Sequence, residues 1–84
     1  MNEKITPEVR AVLDEVDGNT YVRLHCWLYE PQLSNDHRLQ LADEMFCTHL
    51  MQTSKVCEIE VPRRFVEEIA KWEEVKAIKS IKVF

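Results

Sequence analysis

Glycine is almost missing from this chain: Gly18 is the only one among 84 residues. Loops that cradle phosphates need several glycines, because only a backbone without Cβ lets successive amides close on an anion. Neither the P-loop nor the dinucleotide-binding fingerprint can be written in this sequence, and nucleotide hydrolysis is excluded on that ground. Long apolar runs are lacking too. None approaches the ~18 residues of a membrane span, and Met1-Asn2-Glu3-Lys4-Ile5 has no basic-then-apolar layout of a signal peptide. The expectation is a cytoplasmic protein with no membrane contact. Cysteines are few and odd in number (Cys26, Cys47, Cys57), with no Cys-x2-Cys pair. In a chain without an export signal this argues for free thiols and against a disulfide framework. With three prolines and one glycine there is no low-complexity linker, and there is no internal repeat.

What is present suffices for a fold. Hydrophobic residues make up 45% of the chain and charged residues 31%, enough apolar material for a core and too much for a disordered tail. One compact domain over residues 1–84 is expected. The net charge is −4 and unevenly spread: residues 1–54 hold four Lys/Arg against nine Asp/Glu, residues 55–84 seven against six. An acidic protein repels phosphate backbones at long range, so sequence-independent nucleic-acid binding is disfavoured.

Thr6-Pro7-Glu8 reads as a helix start, with Thr as N-cap, Pro at the first helical position and a carboxylate at the positive end of the dipole. Val9, Val12, Leu13 and Val16 follow at helical spacing, which predicts a helix over 6–17; a hairpin turning at Asp17-Gly18 is the rival. Residues 21–29, bounded by Gly18-Asn19 and Pro31, are rich in aromatics and read as a strand. Alternation sends Val22, Leu24, Cys26 and Leu28 to one face and Tyr21, Arg23, His25, Trp27 and Tyr29 to the other. Ser34-Asn35-Asp36 offers N-caps for a helix through about residue 53, with Leu39, Ala42, Phe46, His49 and Leu50 on its stripe and Leu41, Cys47 and Met51 away from it. Val56–Val61 alternates as a half-buried strand, with Cys57, Ile59 and Val61 inward and Glu58 and Glu60 outward. Pro62 opens a helix whose apolar face is Phe65, Val66, Ile69 and Trp72, with Glu67 and Lys71 at i, i+4 on the other side. The tail from Ala77 to Phe84 reads as a last strand. The fold class is α+β, a two-layer α/β sandwich of order α-β-α-β-α-β with about three strands and the helices on one face.

Few residues could carry chemistry. Glu15, Asp17 and Asn19 resemble the opening of a calcium loop, but that alignment puts Thr20 where glycine is required and Cys26 where the bidentate Glu belongs; a turn is expected. The zinc-type residues are His25, Cys26, Cys47, His49 and Cys57. Strand neighbours His25 and Cys26 point to opposite faces, Cys26 and Cys57 lie on core faces, and Cys47 and His49 are two apart on the expected helix, about 200° around its axis. No metal and no cofactor are expected. The carboxylate pairs Asp14-Glu15, Asp43-Glu44 and Glu73-Glu74 diverge by about 100° on helices and are not paired acids. His37 beside Asp36 sits near a helix start, where Asp36 as a cap explains the pair. A non-catalytic protein is therefore expected.

The unusual feature is the strand face carrying Tyr21, Arg23, His25, Trp27 and Tyr29, since Tyr, Trp and Arg are enriched at the anchors of protein interfaces. The opposing explanation is cover from the last strand or first helix, with Glu58, Glu60 or Lys82 pairing across the face. Leu41 and Met51, off the helix stripe, mark a possible second interface. The leading expectation is a small protein-binding module, an accessory or inhibitory factor or one that self-associates. The alternatives are a single-stranded nucleic-acid binder stacking bases on Tyr21, Trp27 and Tyr29, and a small thiol- or zinc-dependent regulator built on Cys47, His49 and Cys57.

Overall fold

The computed structural model describes residues 4–84. Three helices and four strands follow one another: α1 (Pro7–Leu13), β1 (Tyr21–Leu28), α2 (Asn35–Glu44), β2 (His49–Thr53), β3 (Val56–Pro62), α3 (Val66–Ala70) and β4 (Val75–Val83), with a 3-10 turn Arg63–Phe65 leading into α3. The sheet runs β2-β3-β1-β4, and every neighbouring pair is antiparallel. After α1, the order β-α-β-β-α-β with β1 and β3 at the centre is the split β-α-β, ferredoxin-like topology. The α+β class expected from the sequence holds. The sheet, however, has four strands where three were expected.

The fourth strand comes from the second half of the segment read as one long helix. Ser34 caps α2 as expected, its hydroxyl accepting from His37 N at 3.2 Å. The helix stops at Glu44, and Phe46 adopts φ 53°, a left-handed turn that takes the chain out of the helix. Thr48 N then donates to Glu60 O, and β2 pairs with β3 from His49↔Glu60 to Thr53↔Val56. The β2–β3 hairpin turns on Ser54-Lys55, both at positive φ. Positive φ at both central residues is the signature of a tight hairpin turn that normally carries Asn-Gly or Asp-Gly. Ser-Lys gives no such signal, so the helical spacing of Phe46, His49 and Leu50 prevails in the sequence.

The buried stripe of α2 also differs from the expected one. Leu41 and Met45 are buried, whereas Leu39 and Phe46 are each 60% exposed. With so few apolar residues on the helix, its tertiary partners choose the inward face. His37 stacks on Trp72 at 4.0 Å between ring centroids, and its Nδ1 meets Glu74 Oε2 at 2.6 Å.

α1 begins as expected, with the Thr6 hydroxyl accepting from Val9 N and Pro7 in the first turn, but ends at Leu13. No hairpin forms at Asp17-Gly18. Instead Asp17 Oδ2 accepts from Asn19 N in a side-chain-closed turn. Glu67 on α3 joins the helices: it accepts from Arg63 at 2.8 Å and Arg10 at 2.9 Å, and the expected Glu67–Lys71 pairing is replaced by Arg63 one turn earlier.

One core cluster fills the space between the helices and one sheet face. Val22, Leu24, Cys26 and Leu28 of β1, Cys57, Ile59 and Val61 of β3, and Val75 and Ile78 of β4 meet Val9, Leu13, Leu41, Val66 and Ile69 of the helices. Full burial of such a side chain stabilises by about 1.5–3 kcal/mol. Among the described residues all three helices lie on this side, and the other sheet face carries no helical layer.

Candidate binding surface on the open sheet face

The β1–β3 register determines which side chains meet on that face. Leu28 N donates to Lys55 O and Arg63 N to Thr20 O, each at 2.8 Å, and the pairs between run one to one from Tyr21↔Pro62 to Trp27↔Val56. Counting from either end makes the core-facing pairs Val22↔Val61, Leu24↔Ile59 and Cys26↔Cys57 the hydrogen-bonded ones. The open-face pairs Arg23↔Glu60 and His25↔Glu58 are then the non-hydrogen-bonded ones, in which side chains lie closer.

Both close pairs are ionic. The Arg23 guanidinium donates through Nε and Nη2 to Glu60 Oε1 at 3.1 and 3.0 Å, while the Thr48 hydroxyl donates to Glu60 Oε2 at 2.6 Å. These hydrogen bonds, Thr48's foremost, hold the Glu60 carboxyl below the usual range. Glu58 bridges two imidazoles, meeting His49 Nε2 at 3.1 Å and His25 Nε2 at 3.0 Å. Hydrogen bonding from His49, then from His25, likewise lowers its carboxyl. His25 Nδ1 is buried and without a hydrogen-bond partner.

Trp27 stands beyond this polar centre, 43% exposed, with Lys79 Nζ 5.1 Å from its ring centroid. Lys79 sits at one of two irregularities in β4. The β1–β4 register shifts between His25 and Cys26 and again between Trp27 and Leu28, which leaves Lys79 and Lys76 as the unpaired residues. A bulge re-aims the side chain it carries. At the C-terminus, Arg23 and Lys82 both lie over the Phe84 ring, at 5.4 and 5.2 Å.

The five residues expected to share a binding face are not equivalent. Tyr21, Arg23 and His25 are half-buried, and the Tyr21 hydroxyl donates to Phe46 O at 2.9 Å. Trp27 is open to solvent. Tyr29, 57% exposed, lies past the end of β1 and lines a shallow hollow with Glu30, Gln32, Ser34, Glu73 and Glu74. The expected second interface does not exist as a unit. Leu41 is 1% exposed in the core, because α2 turns that side to the sheet, and Met51, 50% exposed, sits on β2 among the open-face residues. Glu58, Glu60 and Lys82 do lie across the face, and Arg23 does pair with one of them. Neither α1 nor β4 covers it, since α1 packs on the core side and β4 extends the sheet in its plane. Alternation alone does not assign Lys79 or Phe84 to this surface, since the bulge that carries Lys79 leaves no mark in it.

The cysteines lie apart from this surface. Cys26 and Cys57 are opposite each other in the core, fully buried; burial pushes both thiols up, that of Cys57 to about 12. Cys47 is half-buried, its thiol donating to His49 O. Among the described residues no three His, Cys, Asp or Glu side chains are arranged to hold a metal ion, and no helix is long and apolar enough to cross a membrane. Comparison with protein families, curated proteins and solved structures gives no match.

Proposed function

We propose that this chain is a small non-catalytic protein-binding module, and that a partner protein or a second copy docks on the open sheet face around Trp27. The observation that carries this reading is a half-exposed tryptophan on a sheet face without a helical layer. Tryptophan is the residue type most enriched at binding hot spots, and its ring fits a partner's pocket at low entropic cost. The surrounding carboxylates support it further: Glu58 and Glu60 are already engaged by His49, His25, Arg23 and Thr48. Groups held in this way form a rigid polar centre beside the Trp27 anchor.

A single-stranded nucleic acid is the second reading, favoured by the cation–aromatic pair of Lys79 and Trp27. The carboxylates of Glu58 and Glu60 in the middle of the face and the net charge of −4 count against it. Site-specific photo-cross-linking combined with light scattering tests the first reading. A cross-linker at position 27 is expected to capture a discrete protein or a second copy, while one at Leu39, on the helix layer, captures nothing, and Trp27→Ala is expected to abolish any dimer. Equal capture from both positions, or a monomer that yields no adduct from position 27, overturns it.

A further inference from the structure

The surface charge of β4 sets it apart from the rest of the molecule. Residues 75–84 contain Lys76, Lys79 and Lys82 and no Asp or Glu, in a chain whose net charge is −4. All three lysines are exposed. The ion pairs of the described residues use Arg10, Arg23, Arg63 and the three histidines, and none of these lysines. Lys76 and Lys79 are the two bulged residues, and Lys82 stands opposite Arg23.

Lysines and bulges also guard sheet edges against unwanted pairing, and a guard points away from the sheet into solvent. Two of these three do not. Lys79 lies over Trp27 and Lys82 over Phe84, so the positive charge is laid on the margin of the open face beside its aromatic anchors. The edge already has cover where Ile5 bridges Ile78, with Thr6 N donating to Ile78 O and Ile78 N to Lys4 O.

We propose that the occupant of this surface is an acidic, extended segment of a partner protein, lying along β4 with carboxylates on Lys76, Lys79 and Lys82 and an apolar side chain on Trp27. This rests on the reading of the open face as a protein-docking surface. The lysines span at most about 20 Å, six residues at roughly 3.3 Å each, which a short extended peptide covers. Such a peptide can place charge over the basic margin and neutral groups over Glu58 and Glu60. A nucleic acid carries a phosphate at every step and cannot avoid those two carboxylates as easily.

A fluorescently labelled peptide of roughly ten residues, long enough at ~3.3 Å per residue to pass β4, alternating Asp/Glu with Phe/Leu, is titrated with the full chain and followed by anisotropy. Its counterpart with Lys for every Asp/Glu and an oligothymidylate of similar span serve as controls. Saturable binding of the acidic peptide is expected, about tenfold or more weaker for the chain carrying Lys76→Glu, Lys79→Glu and Lys82→Glu together and weakened by salt. Trp27→Ala should weaken it comparably. The corresponding Lys→Gln triple, less prone to disturb the fold, should lie between, with circular dichroism matching the parent. No saturable binding of the acidic peptide, equal binding of the basic one, tighter binding of the oligothymidylate, or indifference to both triple substitutions overturns the proposal. Cross-links from position 27 that persist in that event leave the docking face standing and reject only the acidic partner; their absence rejects both.

Discussion

Lys55 adopts φ 65° in the β2–β3 turn, a backbone state that costs an L-residue roughly 1–2 kcal/mol and glycine almost nothing. Its side chain is exposed and enters no ion pair among the described residues. Lys55→Gly should therefore stabilise the protein by about 1 kcal/mol, read as a higher midpoint in urea with an unchanged slope. An unchanged or lower midpoint would mean that the turn is not held in this conformation. Glu67 presents the opposite case, a favourable contact whose value depends on pH. Burial raises its carboxyl, but hydrogen bonds from Arg63 and Arg10 outweigh burial and bring it from the usual 4.5 down to about 2. A depressed carboxyl contributes stability that is present above the unfolded value and lost as pH falls through the folded one, so the loss should run between about pH 4.5 and 2. The side chain is 37% exposed, and solvent screening reduces the contribution to about 1 kcal/mol. Glu67→Gln should remove that amount at pH 7 and only a small part of it near pH 2, as measured by urea melts at both values. An equal loss at the two pH values would assign the effect to packing instead of charge.

At the scale of elements, legibility followed the strength of local periodicity. β1 and β3 were readable because each alternates over six or more residues between polar boundaries, and the expected inward residues are the buried ones. α2 was not, because its apolar residues support two offset stripes and only contact with Trp72 and Glu74 selects one. A pair of substitutions separates the two stripes. Leu41→Ala should cost about 2–4 kcal/mol through the cavity left in the core, while Leu39→Ala, at a position 60% exposed, should change stability by less than about 0.5 kcal/mol. Thermal melts showing the reverse order would restore the stripe read from spacing alone. The candidate surface was legible to the same extent as its strand. Alternation placed Tyr21, Arg23, His25 and Trp27 on one face, but the close pairing with Glu58 and Glu60 depends on inter-strand register, and the position of Lys79 on a bulge. Neither register nor bulge is encoded in the residues of a single strand.

At the scale of the molecule, the three thiols form a gauge of how the two layers come apart. Cys26 and Cys57 lie on the central strands beneath the helices with no exposed surface, and the same burial that raises their thiol pKa values hides them from a reagent. Cys47, in the loop between α2 and β2, is only half-buried. A maleimide added to the native protein should therefore modify one thiol promptly, a phase that Cys47→Ser removes. The other two should react only through opening of the core, at rates that rise with urea. Their order is informative. Cys57 lies on β3 beside the short edge strand β2, while Cys26 lies on β1 between β3 and the longer β4, so local opening on the β2 side would expose Cys57 before Cys26. Mass spectrometry of partly labelled protein should then show Cys57 modified no later than Cys26, and together with it if the core opens only as a whole. Prompt labelling of all three thiols without denaturant would mean that the helix layer does not stay closed over the sheet, and the rigid face on which Trp27 is presented would lose its support.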